Sequence, residues 1–242
     1  MATATELRSL VQTLSDEAGS DLSLLWAQIF TPDLRAERDS LPDVGGSYEV
    51  WIRPLLADLQ DALMDTMPAL VGEYADAAAV VSTDWYDEYR DGQGVGGSFR
   101  ADIPVSQDLG AEALAGWGSS LITPETADWD AALTRLTGGL QRRISDSSRA
   151  TITGATYADP QARGWQRKAR PDGCGFCQML AGRATLYRSQ GTADFGAHDH
   201  CHCVAVPAFG GQPLPVRAYT PTSRNITDAD RARTRAWIKA NL

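Results

Sequence analysis

Apolar residues recur at helical spacing through the first 90 positions. Leu7, Leu10, Val11 and Leu14 form one stripe, and Leu22, Leu25, Trp26 and Ile29 a second, so the pattern predicts helices there. The segment TPDLRAERDSLPDVGGS (31–47), rich in Pro, Gly, Asp and Ser, reads as a linker. A long helical region follows, with Leu56, Leu59, Leu63, Met67 and Leu70 on one face. Pro54 and Pro68 are expected to start, kink or split it. Trp85, Tyr86 and Tyr89 near its end are assigned to packing.

Residues 91–125 carry little periodicity. DGQGVGGS (91–98) is no phosphate loop, because the Gly-Lys-Ser/Thr ending is missing. A helical period returns from Trp129 to about Ile152 through Leu133, Leu136, Leu140 and Ile144, against the weakening presence of Gly138 and Gly139. After Gly154 the character changes: GWQRKARP, RATLYRS and CHCVAVPAF read as short strands around turns. TDADRARTRAWIKAN reads as a last helix, with Thr227 placed to cap it and acids in its first turn.

Composition changes this picture in one respect. The formal charge of −9 is unevenly spread: residues 1–130 hold 6 Arg/Lys against 24 Asp/Glu, and residues 131–242 hold 16 against 7. An acidic half joined to a basic half should prefer different partners. No apolar run reaches the roughly 18–20 residues of a membrane helix, and the N-terminus lacks the basic start and apolar centre of a secretory signal. The expectation is a cytoplasmic product that does not enter a membrane.

The chemistry is concentrated in one place. All four cysteines and all three histidines lie between 174 and 203: Cys174-Gly-Phe-Cys177, twenty residues, then His198-Asp-His200-Cys201-His202-Cys203. Zinc suits this donor set because it accepts thiolate and imidazole in a tetrahedral shell without redox chemistry. Cys-x-x-Cys lets one turn supply two thiolates, and the 198–203 knot would supply the rest and close the intervening loop. In a small module that closure contributes folding free energy directly. Two disulfides or a redox Cys-x-x-Cys are the alternatives. Neither accounts for the three histidines, and cytosolic thiols stay reduced. The candidate ligands are Cys174, Cys177, His198, His200, Cys201 and Cys203; they outnumber four positions, and which four bind stays open. Neither the His-x-Glu of zinc deaminases nor a His-Glu-x-x-His occurs, which favours a closed structural shell over a catalytic one.

GWQRKARPDGCGFCQMLAGRATLYRSQGTADFGAHDHCHCVAVPAF resembles the C-terminal motif of the phage Mu F-like minor head proteins, in the version found in phages of actinobacteria. Trp165, Cys174, Cys177, Gly182, Arg183, Tyr187, His198, Cys201, Cys203 and Pro207 occupy the places of that motif, over roughly residues 160–210. His202 stands where the motif varies and is the histidine first excluded from the metal. The resemblance implies a low-copy head protein that associates with the portal and other head proteins, scaffold among them, and is packaged inside the capsid after assembly in the host cytoplasm. Proteins of this kind are often labelled capsid maturation proteases, which makes proteolysis of scaffold or capsid protein the alternative. A Ser-His or Cys-His protease needs a histidine outside the metal knot, which leaves His200 and His202 and no identified partner. A third possibility is non-specific DNA contact by Arg142, Arg143, Arg149, Arg163, Arg167, Lys168 and Arg170.

The expected fold class is α+β: a mainly α-helical N-terminal region and a small zinc-stapled α+β C-terminal module. The expected organisation is an acidic helical region at 1–125, a connecting helix at 126–154, the metal-binding module at 155–210 and a tail with a terminal helix at 211–242.

Overall fold

The computed structural model describes residues 2–41, 47–104, 109–123, 128–183, 186, 187, 195, 197–211 and 228–241. Its elements are α1 (Ala4–Ile29), α2 (Pro32–Ser40), α3 (Ser47–Gly92), α4 (Ala111–Ser119), α5 (Trp129–Ala158), β1 (Gly164–Lys168), α6 (Gly175–Gly182), β2 (Val204–Ala208) and α7 (Asp228–Asn241). The chain is mostly helical with a small antiparallel sheet, the α+β arrangement the sequence predicts.

A capping box starts α1. The Glu6 amide donates to Thr3 Oγ1 (3.2 Å) and the Thr3 amide to Glu6 Oε2 (3.3 Å), which satisfies two otherwise orphaned donors. Leu7, Val11, Ser15, Ala18, Leu22 and Trp26 form its buried stripe, while Leu10 stays exposed. The long helix α3 buries Leu59, Leu63 and Met67 completely. Neither Pro54 nor Pro68 ends or splits it. A proline inside a helix deprives the carbonyl four residues earlier of its partner. Here those carbonyls belong to Val50 and Met64, both exposed positions where water can take over.

The linker expected at 31–47 is in part a helix. Thr31 caps α2 by accepting from the Leu34 amide, and Pro32 occupies the first helical position, where a missing N–H costs nothing. Thr-Pro-Asp is a helix start whose composition imitates a loop; residues 42–46 lie outside the described residues. Inside the weakly patterned 91–125 stretch, α4 buries Leu114 and Ala115. Thr227, the expected cap of α7, lies outside the described residues.

Helices α1, α3 and α5 pack on one another, α4 lies against α3 and α5, and β2 packs on α5 and α1. The α3–α5 contact is made close by small residues: Ser82 Oγ donates to Ser148 Oγ (2.7 Å), and Ser147 Oγ to the Ala75 carbonyl (2.7 Å). One hydrophobic cluster runs from Ala2 through Trp85, Leu136 and Ile152 to Trp165 and Val206. Strand β1 pairs with β2 from Gly164↔Ala208 to Lys168↔Val204, and Tyr187 bridges to Trp165 on the other edge.

Gly138 and Gly139 of α5 are there for close approach. A Cβ on Gly139 would overlap the Leu114 side chain, and one on Gly138 would lie 2.5 Å from His200 Nε2. The ends of α3 and α5 are locked by a buried ion pair. Arg90 Nε donates to Asp159 Oδ2 (2.9 Å), with the two side chains 1% and 0% exposed. The Tyr86 hydroxyl donates to the same carboxylate (3.2 Å). Arg90 also donates to the carbonyls of Val95 (3.2 Å) and Gly96 (2.6 Å), so the glycine-rich 91–98 turn wraps a guanidinium.

Candidate metal centre

Strand β1 ends at Lys168, and residues 169–173 carry the chain to α6. Gln178 braces that turn by donating to the carbonyls of Arg170 and Pro171, and the Gly173 amide donates to the Arg170 carbonyl (3.0 Å). Cys174 is the N-cap of α6 and Cys177 lies in its first turn, so a single turn of helix presents both thiols. The second half enters through a turn at Asp199–His200, with His200 in the left-handed region (φ 59°). From Cys201 the chain runs into β2, and near-extended chain sends alternate side chains to opposite sides. Cys201 and Cys203 therefore face α6, while the ring of His202 lies 2.9–3.1 Å from Gln141 Nε2 on α5.

The two halves meet. Cys174 Sγ lies 3.1 Å from His198 Nε2, and Cys177 Sγ lies 3.4 Å from Cys201 Sγ. Donor atoms of Cys174, Cys177 and His198 all fall within 4.8 Å of one another, as do those of Cys177, Cys201 and Cys203. Cys177 belongs to both groups. These five side chains could hold a metal ion. Of the six expected ligands, His200 is in neither group: it packs against Gly138 and lines the cleft of about 180 Å³ that opens over the cysteines. His202, excluded from the sequence, is also in neither group.

The electrostatics favour one anionic sulfur within the buried triad, at Cys201, whose charge and the burial of the site push Cys203 up. Hydrogen bonds from the Cys177 and Cys203 thiols, aided by the Arg149 guanidinium, hold Cys201 well below the ordinary thiol range. Cys177, as donor to Cys201, is pushed far up. Burial pushes Cys174 up, but hydrogen bonds from Cys177 and His198 outweigh it and leave the thiol below its ordinary value. His198 Nδ1 lies 3.0 Å from the Asp199 carbonyl. That contact raises the imidazole pKa and assigns the Nδ1 proton, leaving Nε2 toward Cys174, the orientation common for metal-bound histidine. Burial lowers His202.

Two arginines that the sequence did not single out for this site fix the knot's backbone. Arg149 of α5, 3% exposed, donates through Nε to the Cys203 carbonyl (3.0 Å) and through Nη2 to that of Cys201 (2.7 Å). Its Nη1 pairs with Asp146 (2.6 Å). Arg8 of α1 donates through Nε to the intervening His202 carbonyl (3.1 Å). Three successive carbonyls are thus held by two helices. The readable signal was Arg149 itself, a charge beside Ile144, Ser145, Ser148 and Ile152 on the buried stripe of α5.

The same observation corrects the basic face. Arg149 and Arg167 are buried, and Arg143 is half-buried and donates to the carbonyls of Gly139 and Gly110. Arg142 pairs with Asp146 and Asp199, and Arg170 with Asp172. Arg163 and Lys168 remain exposed.

Among the described residues no helix is long and apolar enough to cross a membrane. No curated protein and no solved structure matches the chain. The family described as VG15 protein matches residues 1–225, the helical N-terminal region as well as the Cys/His region. The chain therefore belongs to the VG15 protein family, a viral and phage gene family.

Proposed function

We propose that this phage protein is a minor head protein of the Mu F-like kind, associated with the portal and packaged inside the capsid, and that it folds around a structural zinc ion. The observation that supports this reading is the convergence of Cys174 and Cys177 with His198, Cys201 and Cys203 from segments some twenty residues apart. Tetrahedral zinc with bonds of about 2.0–2.3 Å places its donors roughly 3.5–3.8 Å apart. The separations of 3.1 and 3.4 Å reach that spacing with shifts of a few tenths of an ångström. A donor set of sulfur and one or no imidazole, with no carboxylate in it, suits a closed shell better than a catalytic ion with an open position.

The protease alternative has less support. His200 packs on α5 and His202 contacts Gln141, and among the described residues neither makes a hydrogen bond to a serine hydroxyl. The test has two arms. Metal analysis of protein prepared without chelator should find about one zinc per chain, and a value near zero removes the zinc. A cryo-EM map of assembled heads should place this chain in low copy at the portal vertex; its absence from heads removes the head-protein reading. Scaffold or capsid cleavage lost in a folded, zinc-loaded His200→Ala or His202→Ala variant would favour the protease.

A further inference from the structure

The thiol triad rests on two buried guanidinium groups. Cys177, Cys201 and Cys203 are each 3% exposed, and Phe195 packs directly against them. The Arg167 guanidinium carbon lies 3.7 Å from the centroid of the Phe195 ring, and that of Arg149 lies 4.9 Å from it. Trp165 stacks on the same ring at 5.2 Å. Both arginines are at least 95% removed from water, at 5% and 3% exposure. Arg149 reaches the centre a second way, through the carbonyls of Cys201 and Cys203.

A divalent ion bound by three thiolates and a neutral imidazole carries a net charge of −1, and one bound by four thiolates carries −2. Burying such a charge is costly unless cations accompany it. The converse also holds: two guanidinium groups beside three cysteines, that of Arg149 shared with Asp146 through Nη1, are better tolerated when the cysteines are thiolates. We propose that Arg149 and Arg167 are the counter-ions of an anionic metal–thiolate centre, positioning residues that raise its affinity for the ion without ligating it. This rests on the metal reading above. It goes beyond it by fixing the sign of the centre's charge and by naming the residues that answer it.

The experiment compares the full-length chain with Arg149→Met, Arg149→Lys and Arg167→Met. Zinc affinity is measured by competition with a chromophoric chelator, and Co²⁺ is used as a spectroscopic substitute. Removal of a partner just outside the ligand shell costs roughly ten- to a hundred-fold in metal affinity. Each Met variant should weaken zinc binding by a factor in that range, and Arg149→Lys, which keeps the charge, should recover part of it. The thiolate-to-cobalt absorption at saturation should be unchanged, since the ligands are untouched. A purely structural role would lower the melting temperature of the metal-free protein and leave the zinc affinity alone. Should Arg149→Met not fold, Arg167→Met decides. Zinc affinity of Arg167→Met within twofold of the parent overturns the proposal. A parent chain with no stoichiometric zinc overturns the metal reading instead.

Discussion

Gly138 and Gly154 both lie inside α5, and replacing each with alanine should have opposite effects. By helix propensity alone, either substitution stabilises by roughly 0.5–1 kcal/mol, because glycine loses more backbone freedom on folding. Beyond its own turn of helix, Gly154 has no atom of the described residues within 4 Å of where a Cβ would sit, so Gly154→Ala should realise that gain. At Gly138 the new Cβ would meet three atoms of the His200 ring at 2.5, 2.9 and 3.0 Å. Ordinary contact begins about 3.5 Å, so the imidazole must retreat by nearly an ångström. The backbone beneath it is held, since Arg149 bonds the Cys201 carbonyl, so the ring must turn about its own side-chain bonds and give up its packing on α5. Overpacking of this kind costs about 1–3 kcal/mol, enough to cancel the propensity gain and reverse its sign. Gly138→Ala should therefore destabilise by up to ~2 kcal/mol, read from urea denaturation followed by circular dichroism, and should weaken zinc binding by disturbing the turn between His198 and Cys201. His200→Ala in the Gly138→Ala background removes the obstructing ring and should restore stability to the level of the His200→Ala single variant or above it. If Gly138→Ala stabilises as much as Gly154→Ala, the close packing of the knot on α5 is wrong.

Three further outcomes are expected. Arg90→Met strands the Asp159 carboxylate, 0% exposed, with Tyr86 and the Gln161 amide as its remaining donors among the described residues; the unfolding free energy should fall by about 3–5 kcal/mol, and a denaturation curve showing a loss below ~1 would refute the buried pair's role. Cys177→Ser, at the residue shared by both donor groups, should abolish stoichiometric zinc while most of the helical circular dichroism of α1, α3 and α5 remains; acidification should likewise release the ion, starting at a higher pH than for an ordinary histidine because His198 has a raised pKa and its protonated ring cannot ligate. DNA contact by the exposed pair Arg163 and Lys168 should appear in gel-shift assays only at low salt and vanish in an Arg163→Glu/Lys168→Glu variant, whereas salt-resistant or sequence-selective binding would contradict it.

What could be read from the sequence followed distance along the chain. The α3 stripe of Leu59, Leu63 and Met67 is a local period, and it lies buried where the period places it. The donor cluster is likewise local in composition, with every cysteine and histidine inside thirty residues. Where composition and position disagreed, composition misled: Thr31-Pro32-Asp33 is a capped helix start, and α3 runs unbroken past Pro54 and Pro68. Gly138 and Gly139 argued against a helix that needs them for contact with His200 and Leu114. Least legible were Arg8 and Arg149, whose partners stand 194 and 52 residues away. Their roles depend on how α1 and α5 dock, which no local pattern records.

The bond from Arg8 to the carbonyl of His202 sets a clock on the chain's synthesis. At about 5–20 residues per second, some 10–40 seconds separate the emergence of the two partners. During that interval α1 has left the ribosome with Leu7, Val11, Leu22 and Trp26 in need of cover, and α3 and α5 arrive to supply it well before the cysteine knot exists. The helices can gather early, yet the N-terminal turn of α1 gains its last partners only after residue 203 is made. On the proposed zinc reading, metal capture would fall at the end of folding, and a shortage of the ion would leave a population of collapsed chains loose at one end, with the apolar seam between α1 and β2 open to other unfinished copies.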